Sequence, residues 1–147
     1  MVVPSSLIEP FRSALYDLQR PGQLPVQGAL AEFMERGYFA THIRRIRQAY
    51  ADTRTALVEA LAPALEQGAT ISSQSAGLHL VISLPAGTDD QELARKAGRL
   101  GVQVHALSHY FIGTPRAAGL VVGYGYAATE KVVRSGRILG QLLRASL

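Results

Sequence analysis

The strongest constraint on the fold is a stretch with helical periodicity that runs without a break from Gly37 to about Leu65. No glycine or proline occurs between Tyr38 and Ala62. Its apolar residues recur at spacings of three, four, seven and four positions, which is the pattern of one helical face. They are Ile43, Ile46, Tyr50, Leu57 and Leu61. The stretch predicts a single helix of about 25 residues, roughly 37 Å long at the usual rise per residue.

Composition narrows the class of protein. The chain has 147 residues, of which 48% are hydrophobic and 18% charged, so it predicts a globular protein with a core of ordinary size. Cysteine is absent, which excludes a disulfide framework and thiol catalysis. No apolar run reaches the length of about 18 residues that spans a membrane, and the N-terminus has no signal-peptide pattern. These features predict a cytoplasmic protein with no membrane partner.

Two helices are predicted before the long one. The first runs from Ser5 or Ser6 to about Leu18, opened by a capping box of Ser6 and Glu9. A loop, RPGQLP, follows at residues 20–25. The second helix runs from about Val26 to Arg36 and ends against Gly37 as its C-cap. Exposed apolar side chains on these helices would form an interaction patch; they are Leu7, Phe11, Phe33 and Met34.

The pattern changes to strands after Gly68. Residues 78–84 alternate between apolar and polar, as do residues 102–106, and each run predicts a strand. Thr88 with Gln91 forms a second capping box that opens a helix ending near Leu100. The apolar run of residues 120–124 predicts a third, central strand buried on both faces. A last helix covers about 129–144, so this part reads β-α-β-β-α, an α+β unit.

Several segments together resemble the C-terminal portion of MocR-type regulators of the GntR superfamily. They are LIEPFRSAL, ALAEFMERGYFATHIRRIRQAYADTRTALVEAL, GLHLVISLP, DDQELARKAGRLGVQVHALSHYF and GLVVGYGYA. Such regulators join an N-terminal winged-helix DNA-binding domain to a domain resembling fold-type I aminotransferases, which bind pyridoxal 5'-phosphate. The most specific segment is the G-Y/F-x-x-x-H-I-R-R-x-R run at residues 37–47.

The resemblance implies an organisation of the chain. Residues 1–37 would be a helical remnant of the large cofactor domain. Residues 38–147 would be the aminotransferase-like C-terminal small domain, including the long connecting helix. Its expected fold is the α+β small domain of fold-type I, a long helix with a small, mainly antiparallel sheet and flanking helices. The winged helix, the Schiff-base lysine and the aspartate that pairs with the pyridine nitrogen would all lie upstream of this sequence.

No residue of this chain is expected to be catalytic, to bind the cofactor or to bind a metal. The two lysines, Lys96 and Lys131, are predicted to be exposed on helices, outside any context like the Schiff-base loop. In aminotransferases of this fold an arginine often begins the last strand and grips a substrate carboxylate. The corresponding position here is Val121, which cannot do so. Arg116 is the nearest substitute, and Tyr110 is the second candidate for ligand contact, because its loop approaches the substrate entrance in related folds.

Two other constellations have weaker claims to function. The basic residues of the long helix, including His42 and Arg45, would suit a phosphate or DNA patch, but neither stacking aromatics nor a helix-turn-helix pattern accompanies them. An ordinary solvated helix face explains them better. His79 and His105 are predicted to point away from the apolar sheet face and to be cross-strand neighbours. Neither pairs with a ligand at metal-binding spacing.

The function that the resemblance implies is transcription regulation by a cofactor- and effector-responsive protein. In the parent protein pyridoxal 5'-phosphate is the cofactor, an amino acid or amine is the effector, DNA is bound only by the upstream winged helix, and the assembly is a homodimer. This chain alone is expected to be inactive as a transaminase. Two alternatives remain: the C-terminal domain of a genuine class I/II aminotransferase, and a free-standing module that dimerises through its first helices.

Overall fold

The computed structural model describes residues 3–18, 24–72 and 77–147. Most of the loop predicted at residues 20–25 lies outside the described residues. The chain divides into two compact units, Met1–Arg45 and Ile46–Leu147, and the boundary between them falls inside the long helix.

The first unit contains only helices among its described residues. A 3₁₀ turn, Ser5–Leu7, leads into α1 (Ile8–Leu18), and α2 (Leu24–Glu35) follows. The predicted capping box is wrong, because no side chain caps this first helix and Glu9 pairs with Arg12 instead. Gly37 has the predicted C-cap conformation, with φ of +76°, a value that favours glycine. None of the described residues of this unit is buried.

The long helix is α3, Tyr38–Ala60, with 23 residues. It ends earlier than predicted, at a turn on Leu61, and the short helix α4 (Ala62–Leu65) begins with a proline in its first turn. Proline has no N–H and favours the first turn of a helix over its interior, so Pro63 restarts the helix instead of continuing it. Of the predicted apolar stripe, Leu57 and Leu61 are fully buried, whereas Ile43 and Ile46 are only half-buried.

The second unit carries a four-stranded antiparallel sheet. Its strands are β1 (Thr70–Ile71), β2 (His79–Ser83), β3 (His105–Ala106) and β4 (Gly119–Gly123), in the spatial order β1-β2-β4-β3. Helix α5 (Asp90–Arg99) connects β2 to β3, and α6 (Thr129–Arg144) ends the chain. The two-residue strand β1 was not predicted, because so short a strand leaves no periodicity in the sequence. The α+β architecture agrees with the prediction.

The two faces of the sheet differ in burial. Leu80 pairs with Val122, and Ile82 pairs with Leu120, on the face that forms the core. On the opposite face Val81 pairs with Val121, and both are half-buried. Strand β4 is therefore central, as predicted, but the prediction that it is buried on both faces is wrong.

Two glycines of α6 pack against the C-terminal end of α3. A Cβ placed on Gly136 would lie 2.7 Å from Leu57 Cδ1 and 3.1 Å from Ala60 Cβ. A Cβ on Gly140 would lie 3.0 Å from the Ala60 carbonyl oxygen. Both positions are crowded, so a side chain at either one would force its neighbours on α3 to shift. A bond of 2.8 Å between the Thr53 and Thr129 hydroxyls joins the same two helices.

Candidate functional site

A buried carboxylate organises the loop that carries the predicted ligand residues. Asp90 is the first residue of α5 and is 3% exposed. Its Oδ2 accepts hydrogen bonds from the backbone N–H of Ser108, at 2.9 Å, and of Gly119, at 3.0 Å. Its Oδ1 accepts a third from the Ser108 hydroxyl, at 2.6 Å. One side chain thus anchors both ends of the segment between β3 and β4.

These contacts determine the ionisation of Asp90. Burial raises the pKa of its carboxyl group, because a charge is less stable away from water. The hydrogen bonds from Ser108 and Gly119 lower the pKa, and the nearby charge of His109 lowers it further. The net result is a pKa below the ordinary value of 3.8, so Asp90 is an anion at neutral pH.

Sequence reasoning missed Asp90. The visible signal was a pair of adjacent carboxylates, Asp89 and Asp90, at the start of a predicted helix. One carboxylate is enough to cap a helix, and Asp89 does so by accepting a bond from the Glu92 N–H at 2.9 Å. The predicted box of Thr88 and Gln91 is therefore wrong, and the Thr88 hydroxyl donates to the Pro85 carbonyl. The carboxylate of Asp90 is therefore not needed for capping and can accept the hydrogen bonds from Ser108 and Gly119.

The anchored segment carries both predicted ligand residues. Tyr110 ends a 3₁₀ turn, Leu107–Tyr110, and is 64% exposed. Arg116 lies in the following bend and is exposed. Within the described part of the chain Arg116 makes no ion pair or side-chain hydrogen bond. Three cavities of the second unit have volumes of about 300, 440 and 760 Å³, and neither Tyr110 nor Arg116 lines any of them. The structure places both side chains on one surface loop and shows no enclosed site around them.

The other residues considered from the sequence lie as follows. Lys96 is on α5 and Lys131 on α6, and both are exposed, as predicted. His79 and His105 are exposed on the same sheet face, as predicted, but they are not cross-strand neighbours, because β4 lies between their strands. Among the described residues, no group of three His, Asp or Glu side chains is placed to hold a metal ion.

A groove on the second unit contains two of the helical arginines. It has a volume of about 760 Å³ and includes Arg47, Tyr50 and Arg54 of α3, together with Gly77 and Tyr124. The Arg54 guanidinium donates to the Ser72 carbonyl at 3.1 Å, and the Tyr124 hydroxyl donates to the Gly77 carbonyl at 2.9 Å. The first bond joins α3 to the residue that follows β1, so Arg54 has a structural role.

A second cavity of the same unit lies between β4 and α6. Its volume is about 300 Å³, and Lys131 lies at its edge. A third, of about 440 Å³, is bordered by Lys96, by the acidic residues Asp89 and Glu92, and by the last two residues of the chain. Each lysine of the protein therefore borders a different cavity.

Solved structures define the class of this fold. The chain superposes on a kynurenine aminotransferase from Pyrococcus horikoshii with a TM-score of 0.79, over 97% of this chain and 35% of that protein, at 20% identity. An α-aminoadipate aminotransferase from Thermus thermophilus gives a TM-score of 0.76, over 98% of this chain and 37% of that protein, also at 20% identity. The chain has the α+β fold of part of a fold-type I aminotransferase.

Sequence comparison matches the chain to curated transcription regulators. The chain is 34% identical over 136 residues to a probable rhizopine catabolism regulatory protein, MocR, of Rhizobium meliloti. It is 28% identical over 132 residues to YhdI, an HTH-type transcriptional regulator of Bacillus subtilis. By sequence, the chain matches the C-terminal aminotransferase-like part of MocR-type regulators of the GntR superfamily.

The matches cover most of this chain but only part of each relative. They cover 92% and 90% of this chain, but the chain spans only 27% and 28% of the length of those curated relatives. No family model matches the chain. Among the described residues, no helix combines the length and the apolar character needed to cross a bilayer.

The described residues do not fit a pyridoxal 5'-phosphate site. That cofactor needs a lysine amine for its imine and a carboxylate for its ring nitrogen. The cavity beside Lys131 has no acidic residue in its lining. The cavity beside Lys96 has acidic residues but no further basic side chain for a phosphate. Neither lysine therefore has the surroundings that the cofactor requires.

Proposed function

We propose that this sequence is the C-terminal part of a pyridoxal-phosphate-dependent, aminotransferase-like transcription regulator. Residues 1–37 then belong to the large cofactor domain as a helical remnant. Residues 38–147 form the small domain together with the long connecting helix α3. The cofactor, its Schiff-base lysine and the DNA-binding winged helix belong to other parts of that protein.

One observation carries this proposal. The chain matches a probable MocR regulatory protein and an HTH-type regulator over nine tenths of its length, and it has the fold of aminotransferases over almost all of it. The first unit adds support, because an independent domain buries an apolar core. Its described residues bury none, and large apolar side chains such as Phe11 and Phe33 remain 38% and 39% exposed. Such surface suits a piece that packs within a larger domain.

In the parent protein the small domain closes over an amino-acid or amine-like effector, and this motion changes DNA binding. Arg116 and Tyr110 are the residues we assign to ligand contact. The Asp90 anchor supports that assignment, since it holds their loop at both ends. The same proposal includes a homodimeric assembly and a cytoplasmic location. In the complete regulator, Arg116→Gln is expected to weaken the effector response, whereas Arg95→Gln, at an exposed position of α5, leaves it unchanged.

Alone, this chain is proposed to have no transaminase activity. The test is to titrate it with pyridoxal 5'-phosphate, follow imine absorbance, reduce with borohydride and map the modified lysines. We expect no stoichiometric adduct at Lys96 or Lys131, and no aldimine exchange with added amino acids. A one-to-one adduct at either lysine that exchanges with an amino acid would overturn the proposal. Lys96→Met and Lys131→Met identify which lysine is responsible for any adduct.

A genuine aminotransferase is the second candidate, favoured by the superposition on solved aminotransferases. The position of Val121 argues against it, because a half-buried valine in β4 supplies no cation for a substrate carboxylate. The reading frame upstream of this sequence separates the two candidates. A winged-helix domain ahead of the cofactor domain supports the regulator, and a cofactor domain without one supports the enzyme.

A further inference from the structure

The cavity between β4 and α6 has an apolar floor and lies wholly within the second unit. Four aliphatic side chains form that floor, each at most 7% exposed: Leu57, Val122, Val132 and Leu139. A volume of about 300 Å³ is at the lower end of the range of small-molecule pockets. It suits a compact body such as one aromatic ring or a short branched chain.

Small side chains keep this space open. Gly123 at the end of β4, Ala127 in the following loop and Ser135 of α6 all border it. A larger residue at Ser135, which is half-buried, would occupy the volume. The cavity therefore results from particular residue choices in two elements that are otherwise packed on the core.

Lys131 gives the lining of the cavity a positive charge. It is the only charged side chain among the lining residues, all of which belong to the described part of the chain. It makes no ion pair with any described residue. The other polar groups of the lining include the Ser135 hydroxyl and the Gln103 amide, which are neutral hydrogen-bonding groups. An apolar floor with one cation at its edge is complementary to an apolar body that ends in a single anionic group.

We propose that this cavity binds small monocarboxylates with an apolar body. The ring or branched chain lies on the aliphatic floor, and the carboxylate faces the Lys131 ammonium and the Ser135 hydroxyl. The site uses none of the residues assigned above to effector contact, and it stands or falls independently of the proposed regulatory function.

The test is a titration of the chain with three probes of similar shape, followed by the methyl resonances of its leucines and valines. Phenylacetate is the anion, phenylacetamide its neutral counterpart and 2-phenylethylamine the cation. We expect saturable shifts at Leu57, Val132 and Leu139 with phenylacetate. We expect about fivefold weaker binding of the amide, the preference that one exposed ion pair supplies, and weaker binding still of the amine.

Two lysine variants isolate the role of charge. Lys131→Met keeps the aliphatic stem and should abolish the preference for phenylacetate over phenylacetamide. Lys96→Met removes the other lysine of the protein, on α5, and should leave that preference unchanged. Both side chains are exposed, so neither change is expected to disturb folding.

A third variant tests the cavity itself. Ser135→Leu fills the space and should abolish binding of both phenylacetate and its amide. Shifts that do not saturate, or that occur away from the cavity, would overturn the proposal. If Lys131→Met still binds phenylacetate more tightly than phenylacetamide, the proposal is also overturned. This result does not depend on whether Ser135→Leu folds.

Discussion

The carboxylate of Asp90 accepts a hydrogen bond of 3.0 Å from the backbone N–H of Gly119, which follows it by 29 positions. The Gly119 position is close-packed, because a Cβ there would lie 2.7 Å from the Ile82 carbonyl oxygen. The contact joins the first turn of α5 to the first residue of the central strand. It fixes where the loop that carries Tyr110 and Arg116 must end.

Replacing Asp90 tests this anchor. Asp90→Ala leaves the N–H groups of Ser108 and Gly119 without their acceptor and should lower the free energy of unfolding by about 3 kcal/mol. Asp90→Asn keeps an acceptor oxygen for both N–H groups, so its cost should be smaller, about 1 kcal/mol, reflecting the loss of charge-assisted bonds. Urea denaturation measures both values.

A control and a local measurement accompany these variants. Asp52→Asn changes an exposed carboxylate of α3 that contacts only Gln48 in the described structure, and should alter stability by less than about 0.5 kcal/mol. Amide hydrogen exchange at Ser108 and Gly119 should accelerate in Asp90→Ala. Unchanged protection at both amides would show that Asp90 does not anchor the loop.

The lowered pKa of Asp90 predicts a pH dependence of stability. The folded-state pKa lies below the unfolded value, so folding releases protons and the stabilisation is present above the unfolded pKa. It is lost as the pH falls below 3.8 and through the folded pKa. The stability difference between the native chain and Asp90→Asn should therefore be constant from pH 7 to 5 and shrink toward pH 3. A difference that grows on acidification would contradict the assignment.

The start of α5 offers a test of which residue caps it. Asp89→Ala removes the acceptor of the Glu92 N–H and should cost about 1 kcal/mol. Thr88→Ala removes only an exposed bond to the Pro85 carbonyl and should cost less, about 0.5 kcal/mol. Thermal and urea unfolding of the two variants separate the alternatives. A larger loss in Thr88→Ala would restore the capping box predicted from the sequence.

Replacing glycine by alanine is predicted to have opposite effects on stability in α6 and in α5. Gly136→Ala places a Cβ against Leu57 and Ala60 and should cost about 1–3 kcal/mol through overpacking. Gly98→Ala on α5 meets nothing within 4 Å and should stabilise the protein by about 0.5–1 kcal/mol, because alanine favours the helix. Urea denaturation measures the free energy of unfolding of both variants, and each serves as the control for the other. Equal effects would show that α6 does not approach α3 as closely as described.

Local patterns in the sequence predicted most of the helices and strands, but not the two-residue strand β1. The period of the apolar residues in α3 and the alternation in β2 come from interactions within one element and its immediate contact with the core. The interval of α6, residues 129–144, agrees with its prediction for the same reason. The end of α3 was placed too late, since the restart at Pro63 depends on how the chain turns at Leu61.

Less of the candidate site than of the fold could be predicted from the sequence. Arg116 and Tyr110 came from a resemblance to a family, and the structure places them on one loop without joining them in a pocket. The anchor of that loop joins Asp90 to residues 18 and 29 positions away, a pairing that no local pattern encodes. The cavity beside Lys131 likewise depends on how β4 and α6 pack, and its lysine looked like any exposed helical lysine.

The sequence by itself determined the α+β class, most of the helices and strands, and the resemblance to MocR-type regulators, because helical and strand periodicity and extended motifs are properties of the linear chain. Only the tertiary structure decided the strand order, the close approach of α6 through Gly136 and Gly140, the task of Asp90 and the cavity between β4 and α6. These features arise where elements distant in sequence meet, and their energies depend on distances and burial that exist only after the chain has folded.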